Sequence, residues 1–418
     1  MPFSNEKSIV YRLLKWSERY TKTDMVYLAS GGFWLIIGQF GAAFTAFVFS
    51  LIVARYLPQS VYGSYKYILS LVTIIGAFSL TGLNTTIVRT VAQGYEGGLA
   101  KGFRINLLWS WPMLIGFFGV AAYYAWNGAY EIAAAVAIAA IATPFINSAT
   151  LYQAFWNGKK DFLRHTLYWT VANALTTGTT IVAILLTNNI AALVATYFIT
   201  SALANIVLYF LALQKATSQM EPNNKEIFRD ATHLSVMNFL NTVSSNIDKI
   251  IVFHLLGTVQ LAVYSFALAI PEQIRAVLKA GARLALPKFA ERHIDEIRLT
   301  LSGRMFRFGI IIGIVALAYI IVAPFAFPIL FPKYIEAIPY SQFFALTLFA
   351  TLGTAPLSAL QAHTKHRALY TYSILTNIIQ IVSSILFITL FGLWGAAIAV
   401  LINRTASLVL PWYLLRGV

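Results

Sequence analysis

HLSVMNFLNTVSSNIDKIIVFHLLG, residues 233–257, and VQLAVYSFALAIPEQIRAVLKAGARLALP, residues 259–287, are each long enough to cross ~30 Å of hydrocarbon as a helix. Both carry charges where such a helix normally has none. Asn238, Asn241, Asn246, Asp248 and Lys249 interrupt the first, and the second holds Pro271, Glu272, Arg275, Lys279 and Arg283. The last four are three, four and four residues apart, so a helix places them on one stripe. Ionisable groups facing lipid are costly, so the stripe is expected to face an aqueous cavity or other protein. A central cationic cavity for an anionic, lipid-borne substrate is the expectation that follows.

The rest of the chain sets that pair in context. Of 418 residues, 59% are hydrophobic and 11% charged, with a mean hydropathy of +0.71. Soluble domains carry roughly a quarter charged residues, so this is a polytopic all-α membrane protein. Its formal net charge of +15 sits in short loops between apolar runs. That distribution follows the positive-inside rule and does not suggest a nucleic-acid partner. The chain has no cysteine, so disulfide and thiolate chemistry are excluded.

Residues 1–30 are polar and basic and lack the pattern of a cleaved signal peptide. Ile9, Leu13, Trp16 and Tyr20 share a helical face, with Arg12, Lys15, Arg19 and Lys22 elsewhere. This is either a helix lying on anionic lipid or a frayed basic tail. Apolar runs follow at 31–54, 65–88, 105–126, 131–155, 165–187 and 190–213. After the polar linker 214–232 they resume at 233–256, 259–286, 306–330, 340–361, 368–391 and 393–415. The expected organisation is twelve transmembrane helices in two six-helix lobes, an N-lobe at 31–213 and a C-lobe at 233–418. With the N-terminus inside, all of the 30 Lys and Arg fall on the inner side except Arg55, Lys66, Lys249, Lys333 and Arg404. Both termini are therefore expected to be cytoplasmic.

The halves are weakly repeated. At an offset of 199, Leu57 and Tyr65 meet Leu256 and Tyr264; at 204, Tyr168, Asn173 and Ala192 meet Tyr372, Asn377 and Ala396. Six helices per half give the copies the same orientation, about an axis along the membrane normal. The charges are not repeated. Glu272, Arg275, Lys279 and Arg283 align with Thr73, Gly76, Leu80 and Asn84, and Asp248 aligns with Phe49. A structural network of pairs, Arg275 with Glu272 and Lys249 with Asp248, is the alternative to a binding role.

Arg404 lies near the middle of the last helix, far from either interface, which makes it a cavity-lining or internally paired residue. Arg55, Lys66, Arg89 and Lys333 fall near expected helix ends, where snorkelling explains them; Arg55 and Arg89 remain candidates for edge contacts to a phosphate. Prolines 112, 144, 271, 324, 356 and 411 fall inside the runs, and only Pro271 stands beside the charged stripe. Gly38 and Gly41 in GQFGAAF suggest close helix contact. The six histidines have no metal-ligand spacing, and no nucleophile elbow, P-loop or dinucleotide fingerprint occurs. No enzyme activity is expected.

ARYLPQSVYGSYKYILSLVTIIGAFSLTGLNTTIVR, from Ala54, resembles the first-loop and second-helix signature of bacterial polysaccharide flippases. These are the Wzx-type O-antigen and capsule transporters of the multidrug/oligosaccharidyl-lipid/polysaccharide (MOP) superfamily. NIDKIIVFHLLGTVQLAVYSFA is similar to their seventh and eighth helices. FPKYIEAIPYSQFFALTL, LSALQAHTKHRALY and FGLWGAAIAVLINRTASLVL are similar to their ninth to twelfth. The resemblance covers nearly the whole chain. It implies a V-shaped, alternating-access, MATE-like fold in the bacterial inner membrane. The implied substrate is an undecaprenyl-diphosphate-linked oligosaccharide, moved from inner to outer leaflet and coupled to a sodium or proton gradient without a cofactor. Membrane lipids, a polysaccharide polymerase and a chain-length regulator are the implied partners.

Carried onto this sequence, the diphosphate contacts are Arg275, Arg283, Arg404, Lys249 and Lys279, with Arg89 and Arg55 at the edge. Asp248 and Glu272 serve ion coupling or hold the cations. Asn241, Asn246, Asn377 and Gln380 meet sugar hydroxyls. An organic-cation exporter of the same superfamily is the alternative function, favoured by Asp248 and the aromatics. A membrane glycosyltransferase or polymerase has only the polytopic form in its favour.

Overall fold

The computed structural model describes residues 25–216, 224–283, 294–362 and 366–416. Most of the basic N-terminal segment and residues 217–223 of the linker lie outside them, as does the side chain of Arg283. The described residues are helical almost throughout. In the first half, α1 (Met25–Tyr56) is followed by α2 (Gln59–Gly76), α3 (Leu83–Ala92), α4 (Gly98–Leu108) and α5 (Trp111–Trp126). Then come α6 (Tyr130–Ala149), α7 (Leu151–Gly158), α8 (Phe162–Leu186) and α9 (Ile190–Leu213). The second half holds α10 (Asn224–Ser244), α11 (Ile247–Leu256), α12 (Thr258–Arg283) and α13 (Ile294–Leu330). A 3₁₀ turn (Pro332–Ala337), α14 (Ile338–Ala345), a 3₁₀ stretch (Leu346–Gly353), α15 (Thr354–Ala362) and α16 (His366–Arg416) complete it.

Among the described residues, nine segments are long and apolar enough to cross a membrane. One of these, Arg367–Leu415, contains two crossings. It folds back at Gly392, whose φ of 59° favours glycine. Gly395 then lies directly against the Phe387 carbonyl, where any Cβ would collide. Two further crossings are broken or too polar to count by composition: α2 with α3, and α10 with α11. The total is the twelve expected, in the expected order.

The breaks have local causes. Between α2 and α3 the chain makes tight turns, Phe78 N–H to Ile75 O at 3.1 Å and Ser79 N–H to Gly76 O at 3.0 Å. Asn147 of α6 donates to Ser79 Oγ at 3.2 Å and holds that turn. Between α10 and α11 Asn246 leaves the helical region (φ −128°, ψ −8°), and its side-chain amide donates back to Thr242 O at 3.0 Å.

Packing repeats between the halves. Helix α2 packs on α6 as α12 packs on α14. The ring contact of Phe49 with Tyr65, 6.3 Å between centroids, has a polar counterpart in Tyr264, which donates to Asp248. Both pairs sit at the 199-residue offset.

Two sets of contacts join the halves. At the end holding the short connections, Tyr67 stacks on Phe253 at 3.7 Å and accepts from Tyr124 OH at 2.7 Å. Phe266 stacks on Tyr334 at 3.8 Å and meets Tyr62 at 5.0 Å. Gly63 of α2 lies against the Thr258 carbonyl with no room for a Cβ. At the opposite, basic end, α3 meets α10. Gly82 N–H donates to Ser235 Oγ at 2.9 Å, and Arg89 pairs with Asp230 at 3.3 Å.

Candidate substrate cavity

Between the halves lies a cavity of about 1180 Å³, lined by α1, α2, α6–α12 and both arms of α16. Its lining comes from the middle of the apolar helices. Its lining spans Ala42–Ser50 on α1, Asn241–Lys249 on α10 and α11, and Ser265–Gln273 on α12. The Tyr67–Phe253 and Tyr62–Phe266–Tyr334 clusters lie toward the short-connection end.

Its charged centre is Glu272. Arg404 Nη2 donates to Glu272 Oε1 at 2.7 Å, and Arg275 Nη1 donates to Oε2 at 3.2 Å. One carboxylate thus answers two guanidinium groups. Arg404 and Glu272 line the cavity, whereas Arg275, 5% exposed, stands behind Glu272 and does not. Its stripe position directs it at its own turn, three residues back. Arg404 Nε and Arg275 Nε are buried with no partner among the described residues.

Asp248 sits at the first turn of α11, 5% exposed. Tyr264 donates to its Oδ2, while Oδ1 has no partner among the described residues. Lys249 turns away from Asp248 and donates to Asn246 Oδ1 at 3.1 Å. The Lys249–Asp248 pair weighed from the sequence is therefore replaced by two separate polar contacts. Lys66 of α2 adds a third cation to the lining, 5.4 Å from the Tyr62 ring centroid.

The polar amides form a seam between α10 and α16. Ser244 Oγ donates to Asn377 Oδ1 at 2.6 Å, and Asn377 Nδ2 donates to Asn241 Oδ1 at 2.8 Å. Gln380 donates to Ser384 Oγ at 3.1 Å. Asn173, aligned with Asn377 by the repeat, lines the opposite wall beside Thr176 and Thr180.

Seven of the residues selected from sequence converge on the cavity: Lys249, Arg404, Asp248, Glu272, Asn241, Asn377 and Gln380. Arg275 and Asn246 support them from behind. Lys279 lies further along the α12 stripe, away from the lining. Arg55 is exposed at the end of α1, and the Arg89 side chain is 64% exposed in its pair with Asp230. Neither reaches the cavity. Lys66, the Thr176–Thr180 row, Gln153, Asn205 and Asn403 are among the lining residues that the sequence does not single out. Starting the second run at residue 65 made Lys66 a helix-end residue. Helix α2 in fact starts at Gln59, which carries Lys66 ~10 Å into the bundle.

The sequence profile described as "Polysaccharide biosynthesis protein" matches residues 28–274, more than half of the chain. The chain belongs to that family. No curated protein matches the sequence. Solved structures similar to the chain include multidrug transporters. An inward-facing multidrug-resistance MATE family transporter of the MOP superfamily is similar with a TM-score of 0.65 at 15% identity, over 90% of this chain and 93% of that chain. An outward-facing one gives 0.61 at 14%, over 93% and 94%. A eukaryotic MATE transporter gives 0.62 at 12%, over 93% of each. At such identities the likeness is one of fold, the V-shaped, multi-pass transporter fold of the MOP superfamily.

Proposed function

We propose that this protein is a flippase for an undecaprenyl-diphosphate-linked oligosaccharide, moving it from the inner to the outer leaflet of a bacterial cytoplasmic membrane. The cation excess of the cavity carries this reading. Lys66, Lys249 and Arg404 come from both halves and face a space with two carboxylates, one of them shared with Arg275. A diphosphate needs charge and donors of this kind. The amide seam at Asn241, Asn377 and Gln380 suits sugar hydroxyls, and the polyprenyl tail stays in lipid.

In this reading the short-connection end is periplasmic and both termini are cytoplasmic. The halves 31–213 and 233–418 then move as lobes about the linker 214–232. The aromatic closure at the short-connection end supports a state that loads from the cytoplasmic leaflet. Asp248, with one oxygen unpartnered among the described residues, is the candidate for sodium or proton coupling. The product would pass to a polysaccharide polymerase and its chain-length regulator.

The test is leaflet movement of a fluorescent undecaprenyl-diphosphate oligosaccharide in vesicles holding the purified protein. Wild type should move it. Arg404→Ala and Lys66→Ala should each weaken binding by ~10- to 100-fold, as expected for the loss of a charged hydrogen bond worth ~1.5–3 kcal/mol. Equal movement in both variants would sink the site assignment.

A drug or organic-cation exporter is the second reading. Asp248 and the lining aromatics Tyr65, Trp169 and Tyr197 favour it. Drug resistance on overexpression, lost with Asp248→Asn, together with no movement of the lipid, would decide for it.

A further inference from the structure

A second cavity of about 470 Å³ adjoins the first, walled by the N-terminal half except for Thr242 of α10. The two share Leu69, Ile146, Thr150, Tyr197 and Ser201 as a common wall. The annex is lined by hydroxyls and amides, including Thr73, Ser79, Thr81, Asn106, Thr143 and Asn147, and by no charged residue. Asn106 is 3% exposed, and its Oδ1 has no hydrogen-bond partner among the described residues. Thr81 Oγ1 is likewise buried and unpartnered there. Buried polar groups are normally satisfied, so each marks a place for a ligand's hydroxyl. The volume is that of about fifteen waters at ~30 Å³ each, room for the roughly dozen heavy atoms of one hexose.

The repeat sharpens the chemistry. The positions of Thr73, Gly76 and Asn84 on the annex wall are those of Glu272, Arg275 and Arg283 in the other half. One half holds its charge at this register; the other holds neutral donors and acceptors. From this juxtaposition we propose that the annex is a subsite for one uncharged pyranose of the lipid-linked glycan, seated while the diphosphate engages Lys66, Lys249 and Arg404. The inference rests on the flippase reading and adds a specificity to it. A uronic acid placed here would be desolvated without a counter-charge, so the annex discriminates against acidic sugars.

Gly76 supplies the test. A Cβ there would lie 3.7 Å from Asn147 Nδ2 and Thr143 Cγ2, an ordinary contact, so the backbone accepts a side chain at this wall position and Gly76→Leu adds bulk to the annex. Binding to the full-length protein in nanodiscs is measured by native mass spectrometry with three probes. These are bare undecaprenyl diphosphate, the same lipid bearing a neutral disaccharide, and the same lipid bearing a disaccharide with a glucuronic acid. Wild type should bind the neutral glycolipid at least tenfold more tightly than the acidic one. Gly76→Leu and Asn106→Ala should abolish that preference and leave the affinity for bare lipid unchanged. Thermal unfolding of each variant checks that it is folded, and Asn106→Gln serves as the milder second change at that site. Bare lipid bound with an unaltered sugar preference in Gly76→Leu and Asn106→Ala would overturn the annex and spare the flippase. No diphosphate lipid bound by wild type would overturn the flippase reading and the annex with it.

Discussion

Glu272 holds two arginines, so its removal is felt twice. Glu272→Gln leaves Arg275 and Arg404 facing each other without their shared counter-charge. A fully buried pair costs ~3–5 kcal/mol to break from one side. The Glu272 side chain is 39% exposed, which brings the expected loss to about 1–3 kcal/mol. Thermal unfolding in detergent should show a lowered Tm, with part of it regained when Arg404→Gln is added. A Tm equal to wild type for the single variant would mean that solvent already screens the cluster. The same scale shows what the sequence could reveal. Arg404, Asp248, Lys249 and Glu272 stood out because each interrupts an apolar run well inside its ends. Lys66, Arg55 and Arg89 all looked alike from sequence, since each sits close to where hydropathy places a helix end. Only the true start of α2 separates the first, in the cavity, from the other two, outside it.

Helices α2 and α3 each depend on a glycine approach that hydropathy does not register. Gly63 rests on the Thr258 carbonyl, and Gly82, at the start of α3, rests on the Ala231 carbonyl and bonds Ser235. A Cβ at Gly63 would force α2 away from the start of α12 and open the aromatic closure. The cysteine-free chain makes this measurable with a single introduced thiol. Ser265→Cys, 9% exposed on the cavity wall, should resist a membrane-impermeant maleimide applied from the short-connection side. Adding Gly63→Val should make it react. Unchanged protection would show that the stacked rings seal that end without the close approach. The twelve crossings themselves were legible, because each apolar run outlasts the ~30 Å of hydrocarbon. The breaks at 77–82 and 245–246 were not. The turn held by Asn147 lies inside an apolar run that reads as one helix, and the break at Asn246 lies in a run whose polar residues hide it.

Across the whole molecule, the repeat carried more information than its few identities suggested. The Phe49–Tyr65 and Asp248–Tyr264 contacts fall at one offset, so two equivalent scaffolds hold different chemistry. Motion of one scaffold against the other predicts reciprocal distances. Spin labels at Tyr56 and Ile335 report the short-connection end, and labels at Lys160 and Arg367 report the basic end; all four are exposed. Adding undecaprenyl-diphosphate oligosaccharide should lengthen the first distance distribution and shorten the second. Changes of the same sign at both ends would argue against alternating access.

The cavity's surplus of positive charge also makes the carrier an electrical object. Lys66, Lys249 and Arg404, with Arg275 behind them, outweigh Asp248 and Glu272 by about two charges, and a charge carried across the membrane is worth ~2.3 kcal/mol per 100 mV. The diphosphate of the proposed substrate would cancel them. Under the proposed flippase function, loaded transit would be nearly voltage-blind, while the empty return would be pulled by a negative cell interior toward the loading side. Energisation of the membrane would thereby reset the carrier even where no ion travels with the cargo.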